Sequence, residues 1–135
     1  MSSVSTVNDI DKGFWTARYK SIRDFEEHIS RNGTVIIKFF LYVSKDEQKK
    51  RFLERIDEPL KNWKFSSSDI DEREKWDDYM AAYENAMSET SEEYAPWYII
   101  PADKKWYTRI AISRIVINTL KSLKLKLPEL SDEEK

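Results

Sequence analysis

Val35-Ile36-Ile37-Lys38-Phe39-Phe40-Leu41-Tyr42-Val43, followed without a break by Ser44-Lys45-Asp46-Glu47, decides the architecture of this chain. Apart from Lys38 the first nine residues are apolar, and most are β-branched or aromatic, so both faces of the resulting strand are apolar. Strands of that kind lie inside parallel sheets that are covered on both sides. Ser44 with Glu47 three residues later has the form of a capping box. A helix therefore opens at once and runs to about Asp57, where Glu58-Pro59 stops it. A strand that passes directly into a helix points to a layered α/β fold.

Upstream of the strand, Trp15, Tyr19, Ile22, Phe25 and Ile29 recur every three or four residues along one helical stripe. Asn32-Gly33 ends that helix, where the chain must turn left-handed. Downstream, Lys61 to Ser67 has no clear periodicity, and Ser68-Asp69-Ile70-Asp71 opens a further helix with acids at its N-terminal dipole. Trp76, Tyr79, Met80, Tyr83 and Met87 give that helix, taken to about Glu93, an apolar stripe. Pro96 to Pro101 reads as a short proline-bracketed strand. Asp103 is placed to cap a last helix whose Trp106, Ile110, Ile112, Ile115, Val116, Leu120 and Leu123 predict deep packing on more than one face. The expected organisation is a flexible leader over 1–12, an α/β unit over 13–125 and a charged tail over 126–135. Two strands make a poor sheet, so the unit reads as part of a larger one.

The 135 residues suffice for one modest core. Lys and Arg number 23 against 25 Asp and Glu, and a net charge of −2 predicts no general affinity for nucleic acid or an anionic membrane. The absence of cysteine leaves neither a disulfide framework nor a thiolate metal site, and the single His28, within a charged helix, reads as a solvated surface residue. The first ten residues lack the basic start and apolar core of a signal peptide, and the apolar run is too short to span a bilayer. The expected location is the cytoplasm.

Charge is segregated. Lys49 to Phe65 holds six cations, Lys49, Lys50, Arg51, Arg55, Lys61 and Lys64, among three acids. Arg51 and Arg55 lie four apart on one helical face, and two guanidiniums at that spacing can grip successive phosphates. The ordinary reading sets Glu54 and Glu58 against them as surface ion pairs. Asp69 to Glu93 holds ten acids against Arg73 and Lys75. Asp77-Asp78 point apart on a helix and make no metal site alone, so the acids read as a solvated face. Lys104, Lys105 and Arg109 stand where the last strand becomes a helix, at the strand-end crevice in which open α/β sheets bind ligands. They would serve an anion there, or simply balance the acidic helix.

From about Trp15 to Leu123 the chain resembles the family-2 polyphosphate kinases. The resemblance is carried by Asn32-Gly33-Thr34 with the strand that follows, Ser44-Lys45-Asp46-Glu47-Gln48, Arg51-Phe52, Arg55, Pro59, Lys61 and Trp63-Lys64-Phe65. It continues through Trp76-Asp77-Asp78-Tyr79, Ala95-Pro96-Trp97-Tyr98 and Pro101-Ala102-Asp103-Lys104-Lys105-Trp106-Tyr107 with Arg109. It implies a P-loop-kinase-like layered sheet, here two buried strands with flanking helices and a helical lid over about 49–90. It further implies magnesium-assisted phosphoryl transfer between inorganic polyphosphate and a nucleoside mono- or diphosphate. Arg51, Arg55, Lys61 and Lys64 would belong to the lid over the phosphates, with Lys104, Lys105 and Arg109 near them.

Family members place a Gly-x-x-x-x-Gly-Lys loop and the catalytic aspartate before the matched region, whereas the glycines here are Gly13 and Gly33 alone. The expectation is therefore a C-terminal portion, from a truncated gene, a split enzyme or an excised piece, that is inactive alone and completed by a complementary N-terminal P-loop half. The alternatives are a non-catalytic polyanion-binding module and a folded remnant. Exposed apolar surface would favour self-association in any of these.

Overall fold

The computed structural model describes residues 12–64, 66 and 68–126. Most of the expected leader, Phe65 and nearly all of the expected tail lie outside the described residues. The elements run α1 (Lys12–Arg31), β1 (Lys38–Tyr42), α2 (Lys45–Asp57), a 3₁₀ turn (Asn62–Lys64), α3 (Ser68–Glu74), α4 (Trp76–Thr90), β2 (Trp97–Pro101) and α5 (Lys105–Ser122). The result is an α/β unit with a parallel two-stranded sheet.

Local chemistry sets most of the boundaries. α1 ends in a Schellman closure: the Gly33 N–H donates to the Ser30 carbonyl (3.0 Å) and the Thr34 N–H to that of Ile29 (3.1 Å). Gly33 takes φ 90°, which only glycine adopts without strain. The Ser44 hydroxyl accepts the Glu47 N–H at 3.2 Å and caps α2, but the reciprocal half of the expected capping box is not formed: the Glu47 carboxylate takes Arg51 and the Ser44 N–H goes to Asp103. Asn62 closes the other end of α2, its side-chain amide donating to the carbonyls of Arg55 (3.0 Å) and Ile56 (2.6 Å).

β1 and β2 pair in parallel from Lys38 opposite Trp97 to Tyr42 opposite Pro101, with α2, α3 and α4 filling the crossover. The strand is shorter than the nine-residue run, because β2 offers only five partners and Val35–Ile37 and Val43 have none in the ladder. The expected burial of both strands is not found either. β1 has no buried residue and β2 only Ile100, while Leu41 is 49% and Ile99 63% exposed. Two strands and the helices beside them do not cover both pleated faces. α5 is also shallower than its sequence predicts: Thr108 is its one buried residue, and Trp106 and Ile110 are exposed.

The acidic segment forms two helices. At Lys75 the backbone takes φ −86°, ψ 21°, and its N–H bonds to the Glu72 carbonyl three residues back, which interrupts the helical ladder without glycine or proline. Among the described residues no helix is long and apolar enough to cross a membrane.

What joins these pieces is the one charge inside the apolar strand. The Lys38 ammonium lies 2.7 Å from a Glu26 carboxylate oxygen on α1, donates to the Thr90 carbonyl at the end of α4 (2.6 Å) and sits 5.2 Å from the ring centre of Trp97 on β2. Trp97 Nε1–H donates to the Thr90 hydroxyl at 2.9 Å, and that hydroxyl donates to the Ala86 carbonyl. The Lys38 and Glu26 side chains are only 12% and 11% exposed. Around them, Arg23 of α1 donates to the Glu89 carbonyl, and Tyr83 packs against Phe40 with ring centres 4.7 Å apart.

Lys38→Met should lower stability by about 3 kcal/mol, because it strands the Glu26 carboxylate away from water. The double variant Lys38→Met/Glu26→Leu should recover most of that loss, as read from urea unfolding midpoints. Gly33→Ala should cost about 1 kcal/mol in the same assay. The added methyl would meet no atom within 4 Å, so the cost is conformational alone.

Candidate functional site

Because the strands are parallel, their C-terminal ends open on the same edge, and α2 and α5 both begin there. The crevice at that edge has a volume of about 210 Å³ and is lined by Leu41, Val43, Arg51, Ala102, Lys105, Thr108 and Arg109. Three cations from two helices thus converge beyond the strand ends, where open α/β sheets take their ligands. Thr108 braces the wall, its hydroxyl bonding to the Pro101 carbonyl at 2.9 Å.

A closed ring of hydrogen bonds holds Arg51 in place. Its Nη2 donates to the carbonyls of Ala102 (2.9 Å) and Asp103 (3.1 Å), and its Nε donates to Glu47 Oε1 (2.9 Å). The Glu47 N–H donates to the Ser44 hydroxyl, and the Ser44 N–H donates to Asp103 Oδ1 at 2.7 Å, which completes the ring. These bonds, first from the Ser44 backbone and then from its hydroxyl, hold the Asp103 carboxyl below the usual carboxylate value. A carboxyl depressed on folding contributes stability above its unfolded pKa and loses it as pH falls through the folded one. The link is therefore complete at neutral pH and fails only in acid below the usual carboxylate range.

Asp103 thus does not cap α5 as its position suggested. Lys104 holds the cap position without a side-chain bond, and the Asp103 carboxylate is turned instead to the start of α2. Sequence position placed Asp103 one residue from a helix start, but nothing in the sequence showed a second helix start beside it in space.

Arg51, Lys105 and Arg109 come together at the crevice, and the remaining sequence candidates do not join them. Arg55 stacks its guanidinium 5.5 Å from the ring centre of Phe52 and faces Asp69 of α3 at 3.8 Å. Lys61 stands on the surface, 3.8 Å from Glu58. Lys64 ends the 3₁₀ turn, and its side chain lies outside the described residues. Lys104 is exposed beside the crevice without lining it. Among the described residues Lys105 and Arg109 form no ion pair, and in particular none with the acidic α4 they stood to balance; Arg51 alone of the three has a carboxylate partner.

The segment from α2 to α4 is fastened to itself by contacts the sequence did not show. Arg73 Nη1 of α3 donates to the Lys45 carbonyl (2.7 Å) and to Gln48 Oε1 (2.8 Å), closing α3 onto the first turn of α2. The Tyr79 hydroxyl donates to Glu72, which lowers that carboxyl below its usual range, with help from Lys75, and raises the phenol. A separate apolar groove of about 740 Å³ runs between α1 and α4, walled by Trp15, Tyr19, Tyr79 and Tyr83 over a floor of Ala82 and Ala86. The aromatic stripe of α4 therefore serves packing on one side and stays half-exposed on the other.

The family model for Polyphosphate kinase 2 (PPK2) matches residues 2–128. The chain is 55% identical over 127 residues to an ADP-polyphosphate phosphotransferase of Rhodopseudomonas palustris, covering 94% of this chain and 44% of that protein. It is 58% identical over 118 residues to an uncharacterized protein in the chlN 3′ region of Leptolyngbya boryana, with 87% of each covered. The crystal structure of Polyphosphate Kinase 2 from Arthrobacter aurescens TC1 superimposes with a TM-score of 0.87 at 47% identity, covering 90% of this chain and 43% of that one. The chain thus spans under half the length of those two phosphotransferase relatives, and it belongs to the polyphosphate kinase 2 family.

Proposed function

We propose that this chain is the C-terminal, lid-bearing portion of a polyphosphate-dependent nucleotide phosphotransferase, and that its strand-end crevice binds the phosphates of inorganic polyphosphate. The observation that carries this reading is the convergence of Arg51, Lys105 and Arg109 at the C-terminal edge of two parallel strands, in a chain of this family. Phosphoryl transfer asks the protein mainly for position and for neutralisation of charge on phosphate oxygens. Arg109 offers a planar fork to a phosphate, Lys105 a mobile point charge, and Arg51 its Nη1, which has no partner among the described residues. Arg55, Lys61 and Lys64 of the lid would meet the chain of phosphates farther out.

The 135 residues hold no Gly-x-x-x-x-Gly-Lys sequence, so the proposal is that nucleotide turns over only when a complementary segment supplies the phosphate loop. The magnesium implied for the completed enzyme is proposed to be held outside this chain; among the described residues no group of three carboxylates or histidines is placed to hold a metal ion. No step is assigned to it through these residues. The proposed setting is the cytoplasm, where nucleoside mono- and diphosphates are held.

The test combines the purified chain with the N-terminal segment of the Rhodopseudomonas palustris relative that precedes the matched region, and follows ATP formation from ADP and polyphosphate. The expected result is no turnover by the chain alone and turnover by the associated pair. Turnover by the chain alone would overturn the dependence, and a stable but dead pair would overturn the phosphotransferase reading.

The free cations Lys105 and Arg109 also favour a simpler activity, polyanion binding by the chain alone. Binding of labelled polyphosphate should weaken steeply between 50 and 200 mM salt (approximate conditions). Lys105→Gln/Arg109→Gln should lower affinity about tenfold or more at low salt by removing two phosphate contacts. Among the described residues neither side chain carries a hydrogen bond or ion pair, so unchanged binding by this variant would clear the crevice of that role.

A further inference from the structure

We propose that Asp103 is a positioning residue whose carboxylate, through Ser44, sets where Arg51 enters the strand-end crevice. This rests on the reading of that crevice as the polyphosphate site. Three features of the ring point to it. The Asp103 carboxylate takes its 2.7 Å bond from the N–H of Ser44, the residue whose hydroxyl also caps α2. Arg51 lies seven residues along the same helix, two turns from that cap, so any shift of the first turn is carried to its Cα. The guanidinium returns to the carbonyls of Ala102 and Asp103, so the ring closes on the residue where it began.

The consequence is a division of labour among the three crevice cations. Lys105 and Arg109 are carried by α5 and keep their places whatever α2 does. Arg51 comes from the base of the lid, and the ring holds its guanidinium beside them; α2 contributes no buried residue that would fix it by packing. Arg73, bonded to the Lys45 carbonyl and Gln48, ties the rest of the lid to the same first turn. Losing the Asp103 carboxylate would thus loosen the first turn of α2, and through it shift both Arg51 and the rest of the lid. Asp103 itself does not line the crevice, and a negative charge there would repel a phosphate, so its contribution must be indirect.

A double-mutant cycle in labelled-polyphosphate binding at low salt tests this on the intact chain, alongside amide hydrogen exchange of residues 44–48. Asp103→Ala should weaken binding about tenfold, the scale of one lost charge-assisted contact, and should speed exchange in the first turn of α2. Asp103→Asn, which keeps an acceptor for the Ser44 N–H, should recover most of both. In an Arg51→Ala background Asp103→Ala should cost under about twofold, because coupled residues are not additive, whereas with Lys105→Gln the losses should add. Additive losses with Arg51→Ala, or a gain in affinity as expected from merely removing a negative charge, would overturn the proposal. If the wild-type chain binds no polyphosphate, the reading of the crevice falls instead. Exchange then decides the remaining part: faster exchange in Asp103→Ala keeps the positioning of α2, and unchanged exchange ends it.

Discussion

The fold depends on satisfying one ammonium group where water is scarce. Lys38 interrupts an otherwise apolar strand, and its three contacts reach α1, the end of α4 and β2 at once. A cation so shielded costs free energy unless its partners are all in place. The interaction is therefore less a source of stability than a condition of geometry: the arrangement with Glu26, Thr90 and Trp97 in reach leaves no charge unpaired. Alternatives in which α1 packs elsewhere strand a carboxylate, an ammonium or both. With Ala95, Ile100 and Ala102 as the only buried apolar residues among those described, so small a core leaves much of the specificity to polar contacts.

The same logic recurs at the opposite end of the sheet with the signs arranged differently. At the Lys38 end the charges are paired and shielded; at the strand ends Lys105 and Arg109 have no carboxylate partner among the described residues, while Asp103, close to them in sequence, is occupied by Ser44. Satisfying Asp103 with neutral donors keeps it from pairing with the lysines beside it in sequence. Glu47 likewise spends its charge on Arg51 Nε and leaves the outer face of that guanidinium open. Cations kept free of carboxylates in a concave place are disposed to take an anion from solution.

The features legible in the sequence are those set by neighbours in the chain. The Ser44 cap, the Gly33 turn and the stop at Glu58-Pro59 depend on residues within four positions of one another, and each is found where expected. The parallel pairing and the placing of Lys105 and Arg109 at the strand ends followed from the α/β pattern, which put Lys104 there as well. What escaped was made by distant pairs. Lys38 reads as a blemish in an apolar run until Glu26 and Thr90 are brought to it, and Asp103 reads as a cap until Ser44 lies beside it. The break at Lys75 escaped for another reason: no glycine or proline marks it, and the ladder is lost through one backbone angle. Arg51 and Arg55 share one α2 face in the sequence, yet their side chains part: Arg55 reaches toward Asp69 of α3, while Arg51 reaches the Ala102 carbonyl at the crevice.

The exposure of the sheet bears directly on the chemistry. A cation beside a phosphate is worth several times more where water is excluded than where it is not, since the effective dielectric constant differs by that order. The crevice here is open and small, and Leu41, Ile99, Trp106 and Ile110 around the sheet are largely exposed. Under the proposed reading, Arg51, Lys105 and Arg109 would in that state attract and align a polyanion without stripping the water from it. Positioning is thus present in these residues and desolvation is not. The apolar residues that surround the sheet are suited to provide it once covered, because covering them would also dry the walls against which the three cations stand. Packing and electrostatics would then improve in one step, so the reach of the cations over a phosphate and the burial of the sheet are two aspects of one assembled state.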